Sequence, residues 1–388
     1  MKTNHTKSIA VIANCSEDRA HLQKLLQTYS RKSGGSVLFI GWDRLSNKKE
    51  RSEEATGITY KYLQRGWGSA NKKLLLGLPL WMMRVFFYTF TLDVDVIHVL
   101  DFDSAIPVAF ATRIRKIPII YDIRDNFALR HNWPNWTKWL IEALDRWLIS
   151  KSDYVIVVDE SRIEEQWQPW REKFIVLYNV PPDIPKPAQK TNVFHPFTVY
   201  TSGYLSEIRG ITLLLKAAER IPGMRILMAG RFVNKELEKI FLQHPQVDFR
   251  GWLKQKDALS LCYESDVIFA FYDPKTEINR KAASNKWFDA MMAGKPVLVN
   301  EEVHKSTWIE IMNIGYTCPF GDTDALVSIL EEIKNNPEKA QQKGNQGREL
   351  FEKKYNWPLM EKKLDRIITE LIKAKGGNPT DESNNILT

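Results

Sequence analysis

The sequence predicts an α/β protein built from two Rossmann-like domains facing a central cleft. Three observations carry that expectation. Short β-branched runs alternate with helical stretches across short connections, which is the pattern of βαβ units. The alternation stops at Val180-Pro181-Pro182-Asp183-Ile184-Pro185-Lys186-Pro187, where four prolines in eight residues read as a semi-rigid linker, and then it restarts. The length, 388 residues, suits two domains of ordinary size. The expected divisions are 1–183, 184–355, a final helix over 356–375 and a polar, disordered tail over 376–388.

In the first half, residues 7–13 (Lys-Ser-Ile-Ala-Val-Ile-Ala) read as a buried strand that opens onto a polar loop and a helix over 19–31. Residues 36–41 follow as a strand. No Gly-x-Gly-x-x-Gly fingerprint marks this first turn, which argues against a dinucleotide site there. Leu74–Leu92 is a long apolar run interrupted by Pro79 and Arg84. Its nineteen residues approach the length of a membrane span, but Pro79, Arg84 and the strand that follows directly argue against one; it reads either as an interior helix or as an amphipathic helix lying on a membrane, the latter favoured by nearby Arg65, Lys72, Lys73 and Arg84. Strands are expected at 94–100, 117–121, 154–158 and 174–178, with helices at 104–115 and 162–170. The first two of these strands end in acidic clusters, Asp101/Asp103 and Asp122/Asp125. In open α/β sheets, ligands bind beyond such carboxyl ends.

In the second half, strands are expected at 197–201, 224–229, 247–250, 267–271 and 297–299. Gly203–Gly210 reads as a turn between the first of them and a helix over 211–220. Further helices fall near 235–242, 256–264, 285–293, 324–335 and 337–355. The stretch Ser284-Asn285-Lys286-Trp287-Phe288-Asp289 opens one of these helices with polar residues, and Gly294-Lys295-Pro296 closes it. A helix N-terminus presents N–H donors and a positive dipole end, which suit a phosphate. Asp289 lies four residues after Asn285, one turn further along the same face, where a carboxylate can hold sugar hydroxyls.

Hydrophobic residues make up 44% of the chain and charged residues 26%, an ordinary globular composition. Against 47 Asp and Glu stand 55 Lys and Arg, a net charge of +8 that calls for an anionic partner. No nucleic-acid-binding motif is present, which leaves phosphorylated small molecules or an anionic membrane surface. Cys15, Cys262 and Cys318 are odd in number and far apart, as expected of a reducing compartment. With no signal-like leader, the chain reads as cytoplasmic, with peripheral membrane attachment if the Leu74–Leu92 helix lies on a bilayer. No Cys/His spacing suggests zinc.

Several short motifs, in this order, resemble the retaining GT-B glycosyltransferases of family 4 (glycosyl transferases group 1). Asp95–His98 and Tyr121–Asp125 are similar to the family's D-x-x-H strand and Y-D-x-H-D turn, and Asn179 with its prolines to its P-N interdomain segment. Gly203-Tyr204-Leu205 followed by Arg209-Gly210 resembles its G-R-L-x-x-x-K-G turn. Met228-Ala229-Gly230, Val247–Trp252 and Ser265-Asp266-Val267 match its strand starts and ends, and Asn285–Val297 its N-K-x-F-E-x-M-A-x-G-K-P-V signature. The resemblance covers about residues 8–372.

The resemblance implies a GT-B fold with a C-terminal helix crossing back to the N-terminal domain. It implies transfer of a sugar from a nucleotide diphosphate sugar to an acceptor glycan or glycolipid, with retention of configuration and with neither metal nor cofactor. Donor contacts would fall on Gly203, Tyr204, Arg209, Gly230, Arg231, Glu277, Ser284, Asn285, Lys286 and Asp289. Arg209 would grip the diphosphate and Asp289 the ribose. Tyr204 stands where the family has Arg, and Lys281 where it has a second acid, with Glu277 the nearest carboxylate. Arg124 replaces the turn's His; it cannot act as a base but can stabilise a departing diphosphate, with Asp125 orienting an acceptor hydroxyl. For each of these turn residues a salt bridge within the turn is the structural alternative. These departures keep two further readings open, a catalytically inactive GT-B partner subunit and a nucleotide-sugar epimerase.

Overall fold

The structure, a computed structural model, describes residues 8–33, 36–53, 55–67, 73–130, 133–187 and 196–375. The polar tail 376–388 and part of the interdomain segment lie outside the described residues. Two compact units result: Asn179–Leu359 form one, and the chain up to Tyr178, together with Met360 onward, forms the other.

The first unit is one mostly parallel sheet. Its strands are β1 (Ile9–Ala13), β2 (Val37–Asp43), β3 (Arg51–Glu53), β4 (Ile58–Arg65), β5 (Val96–Leu100), β6 (Ile119–Ile123), β7 (Tyr154–Val157) and β8 (Phe174–Val176). Among the described residues their order is β3-β4-β2-β1-β5-β6-β7-β8, with only β3 antiparallel. Strands β1, β5 and β6 are buried along their whole length, as expected of strands covered on both faces. Strands β3 and β4 were not expected from the sequence. The stretch expected as a helix over 162–170 is instead two 3-10 segments, Glu160–Arg162 and Glu165–Lys173, the second containing Pro169.

Leu74–Leu92 contributes the helix Lys73–Phe90. Its Trp81 and Val85 are buried, so one face packs inward. Leu76, Met83 and Phe87 are 72%, 51% and 63% exposed and share the opposite face at helical spacing. The helices Phe102–Arg115 and Asn135–Lys151 continue the same layer and expose Phe110, Ile114, Trp136 and Trp139. No described helix is long and apolar enough to cross a membrane.

The C-terminal helix Trp357–Lys375 returns to the first unit. Glu361 accepts from Thr28 at 2.9 Å and pairs with Arg31, Tyr154 donates to Glu370, and Lys363 and Lys375 donate to the carbonyls of Val176 and Val94.

The second unit is a parallel sheet of β9 (Thr198–Leu205), β10 (Arg225–Phe232), β11 (Val247–Phe249), β12 (Val267–Phe269), β13 (Val297–Asn300) and β14 (Gly315–Cys318). Among the described residues the order is β11-β10-β9-β12-β13-β14. Its core runs from Val199 and Ile226 through Phe269 to Leu298 and Tyr316. Strand β9 extends through Leu205, so Gly203 and Tyr204 lie in a strand and not in the expected turn. The turn begins at Ser206, with the 3-10 segment Glu207–Arg209 and Gly210 in the left-handed region at φ 68°.

Candidate functional site

The expected donor residues of the second unit gather at the carboxyl ends of its strands. Register places Gly230 beside Gly203 and Arg231 beside Tyr204. The two glycines allow a backbone approach that no side chain could share: a Cβ on Gly230 would lie 1.9 Å from the Gly203 carbonyl oxygen. Gly230 also donates its N–H to Gly251 at 2.8 Å, which brings the segment after β11 into the same edge. There Tyr204 and Trp252 are 64% and 62% exposed with ring centroids 6.3 Å apart, and the Arg231 guanidinium lies 5.5 Å from the Trp252 ring. Trp252 closes the strand-end motif quoted from the sequence but was given no place in the expected site.

Arg209 ends the turn after β9. Its guanidinium lies 4.1 Å from the Tyr272 ring centroid, and one terminal nitrogen is buried without a hydrogen-bond partner. The Asp273 N–H donates to the Ile208 carbonyl at 2.8 Å, tying this turn to the loop after β12. Asn300 fixes that loop from below by exchanging two hydrogen bonds with the Tyr272 backbone, at 2.8 and 3.1 Å.

The same loop leads into the helix Asn285–Ala293. Buried Ser284 caps it, its Oγ accepting from Lys286 N at 3.3 Å, while Asn285 is exposed and Lys286 half-buried. Gly294 ends the helix in the left-handed conformation at φ 64°. Asp289 is half-buried, and its charge is felt by Tyr200 and Cys262. Both have pKa values pushed up, mainly by burial, with Asp289 adding to the effect. Glu277 pairs with Lys281 at 2.8 Å, so the acid nearest the expected second carboxylate faces the lysine that occupies its place. A cavity of about 530 Å³ lies at the opposite end of this helix, lined by Tyr263, Met292, Gly294 and Arg348. Arg348 is held there by a two-pronged pair with Asp183, at 2.8 Å on both arms, so that cavity lies away from the N-terminus of the helix.

In the first unit, polar groups crowd the carboxyl ends of β1, β5 and β6. Asp122 is fully buried between His21 and His98, 3.3 and 3.2 Å away, and Tyr29 Oη lies 2.6 Å from His98 Nδ1. Burial alone would raise the Asp122 pKa; the two histidines outweigh it and hold the carboxylate well below its usual range. Asp101 sits between Arg124, with which it forms a short ion pair, and Arg130 at 3.0 Å. Burial again opposes ionisation, and the two guanidinium groups override it to bring Asp101 to about 2. Arg124 is therefore engaged by the end of the neighbouring strand, and Asp125 faces Arg162 at 3.5 Å. Asp101 holds φ 64° and ψ 154°, a conformation nearly confined to glycine, so this edge carries backbone strain.

Residues 34–179 match the family model for a glycosyl transferase 4-like domain, and residues 209–359 the model for a glycosyl transferase-like domain. A comparison with curated proteins finds no match. Among solved structures, the chain is similar to sucrose-phosphate synthase from Thermosynechococcus elongatus, with TM-score 0.71 and 16% identity over 95% of this chain and 100% of that one. It is similar to Anabaena HepE in complex with UDP and glucose, with TM-score 0.69 and 15% identity over 94% of this chain and 100% of that one. It is also similar to the UDP co-structure of S. aureus MnaA, with TM-score 0.59 and 12% identity over 97% and 100%. Two parallel-sheet α/β domains of this kind define the GT-B class. The chain belongs to the GT-B glycosyltransferases, with a family 4-like N-terminal half and a glycosyl transferase-like C-terminal half.

Proposed function

We propose that this glycosyltransferase moves a sugar from a nucleoside diphosphate sugar to a glycan or lipid-linked acceptor, with retention at the anomeric carbon. The observation that carries the reading is the carboxyl edge of the second sheet. An arginine with a buried, unpartnered nitrogen in the turn after β9, and a helix that carries both a capped N-terminus and a half-buried carboxylate, belong to one fold unit.

In this reading Arg209 grips the diphosphate with a planar guanidinium held in place by Tyr272. The N–H groups and dipole of the Asn285–Ala293 helix, with Lys286, take up the remaining charge, so neither metal nor cofactor is called for. Asp289 accepts from the ribose hydroxyls. Tyr204, Trp252 and Arg231 form an exposed platform on which a base can stack, beside the bare backbone of Gly203 and Gly230. Glu277, paired to Lys281, lies toward the sugar end. In the first unit Arg124 and Asp125 face the acceptor side.

Two likenesses support a uridine diphosphate donor: the HepE structures contain UDP or UDP-glucose, and that of MnaA contains UDP. A thermal-shift panel of nucleoside diphosphates and their sugars tests it, because a ligand that binds only the folded state raises Tm. The expected result is stabilisation by UDP and by one UDP-sugar. A panel with no stabilising nucleotide would overturn the reading. NMR of the anomeric proton in the product tests retention. A second reading, an inactive GT-B subunit, is favoured by the engagement of Arg124 by Asp101, and nucleotide binding without turnover on any membrane-extracted acceptor would select it.

A further inference from the structure

The second sheet has a cavity at its amino edge, the edge opposite the residues expected to hold the donor. Its volume is about 490 Å³, within the range of small-molecule sites. Phe197 lines it directly before β9, Asp266 directly before β12, and Lys295-Pro296 directly before β13. Ile333 of the helix Thr323–Asn335 and Ala340 of the helix Pro337–Lys353 complete a largely apolar wall. The charged residues on that wall are Lys295, Lys334 and Asp266.

The backbone of Lys295 is pinned. Its N–H donates to the Ala290 carbonyl at 2.9 Å, and Gly344 of the neighbouring helix packs so closely that a Cβ there would lie 3.1 Å from the Lys295 Cα. Its amine, by contrast, makes no hydrogen bond or ion pair among the described residues. Asp266 accepts from the Thr198 N–H at 2.7 Å instead. Lys334, on the same wall, is exposed and donates to the Pro222 carbonyl at 3.0 Å. Burial lowers the Lys295 pKa and Lys186 adds to this, while Asp266 and Cys262 oppose it. A lysine desolvated against apolar walls keeps more of its amine neutral, and so nucleophilic, near neutral pH.

Lys343 separates burial from geometry. Burial and Lys339 lower its pKa too, against Glu332 and Glu310. Its amine, however, donates to Asn313 Oδ1 at 2.7 Å and lies 4.8 Å from the Tyr316 ring centroid, and it is not on the cavity wall.

We infer that Lys295 is a covalent modification site that takes a short acyl group from an acyl phosphate, selected by the cavity beside it. The neutral amine nitrogen attacks the carbonyl carbon. The C–N bond forms as the C–O bond to phosphate breaks, phosphate leaves with that bonding pair, and the nitrogen gives one proton to water. The apolar wall accommodates the acyl chain, and the exposed ammonium of Lys334 can meet the phosphate. The resulting amide removes a cation from just past the carboxyl end of the helix Asn285–Ala293, where the helix dipole favours one.

The full chain is incubated at neutral pH with acetyl phosphate and, in a second arm, with butyryl phosphate. Early acylation at each lysine is read by peptide mass spectrometry, and the same two arms in guanidinium chloride supply the unfolded chain. In the folded chain Lys295 is expected to react about fivefold or more faster than Lys334 and Lys343. The preference should widen with butyryl phosphate, whose longer chain the apolar wall can cover, and vanish in the unfolded chain. Lys295 reacting no faster than Lys334 or Lys343 would overturn the inference. So would a preference that persists after unfolding, because local sequence would then be its source. A preference that butyryl phosphate does not widen would also overturn it, since the cavity would have no part in the selection.

Discussion

Arg209 holds its guanidinium 4.1 Å from the ring centroid of Tyr272, and that contact leaves one of its terminal nitrogens buried and unpartnered. The ring fixes the side chain without consuming its hydrogen bonds, so the fork is preorganised for an anion. Arg209→Ala should weaken binding of a nucleoside diphosphate by about 1–3 kcal/mol, the range for a hydrogen bond to a charged group, with little change in Tm. Calorimetry with UDP measures this. An unchanged affinity would remove Arg209 from the site.

The close approach of Gly203 and Gly230 leads to a prediction about folding. Gly230 holds φ 151°, and the Cβ of Gly230→Ala would overlap the Gly203 carbonyl, which is backbone and cannot rotate away. Strands β9 and β10 would have to separate where they are paired along their full length. The expected cost is about 2 kcal/mol or more, read as a lowered urea midpoint. Gly203→Ala meets nothing within 4 Å, so the extra atom itself costs little. Its expense comes from φ 98° and should be the smaller of the two. Equal midpoints for the two variants would show that the overlap is relieved.

How much of this was readable follows from the same residues. Buried strands such as Ile9–Ala13 and Val96–Leu100 announce themselves as β-branched runs, and the residues that the order of motifs singled out for the donor do lie at one sheet edge. Ile58–Arg65 alternates apolar and polar residues and carried a strand signal that was overlooked. Arg51–Glu53 carried none; three polar residues are a strand only because they pair with Ile58–Tyr60. The Asp122 network joins His21 and Tyr29 from one helix and His98 from a neighbouring strand, and long-range contacts of that kind leave no local trace.

Asp145 gives a pH-dependent prediction. It lies buried in the helix Asn135–Lys151 and accepts from Tyr121 Oη at 2.9 Å. Burial raises its pKa to about 7, with Glu164 and Glu142 adding to this and Tyr121 and Arg146 opposing it. An unfolded aspartate titrates near 3.9, so between about pH 4 and 7 the folded chain holds a proton that the unfolded chain has lost. This raised acid therefore costs stability as pH climbs through that window. The amide introduced by Asp145→Asn would still accept from Tyr121 but could not ionise. The Asp145→Asn variant should match wild type near pH 4 and exceed it by on the order of 2–4 kcal/mol at pH 8. Urea melts at the two pH values check this, and a gap that is the same at both would show that Asp145 does not titrate in this range.

The helix Lys73–Phe90 settles part of the choice posed by its sequence and leaves a prediction for the rest. Trp81 and Val85 make it an interior helix on one side, with Trp42 stacked on Trp81 at 5.9 Å. Its other side presents Leu76, Met83 and Phe87 to solvent, and the neighbouring helices add Phe110, Ile114, Trp136 and Trp139. A face of large exposed apolar and aromatic side chains on a chain of net charge +8 has the two properties that hold a protein on an anionic bilayer. We propose that this face rests on such a membrane. Replacing Leu76, Met83 and Phe87 together by Ser should lower binding to vesicles containing phosphatidylglycerol by about tenfold or more, since each fully buried side chain of this size is worth about 1.5–3 kcal/mol. Their exposure means that Tm should hold. Raising the salt should weaken the wild type and the variant alike, because the charges remain in both. Vesicle binding that survives the triple substitution would place the contact elsewhere on the surface.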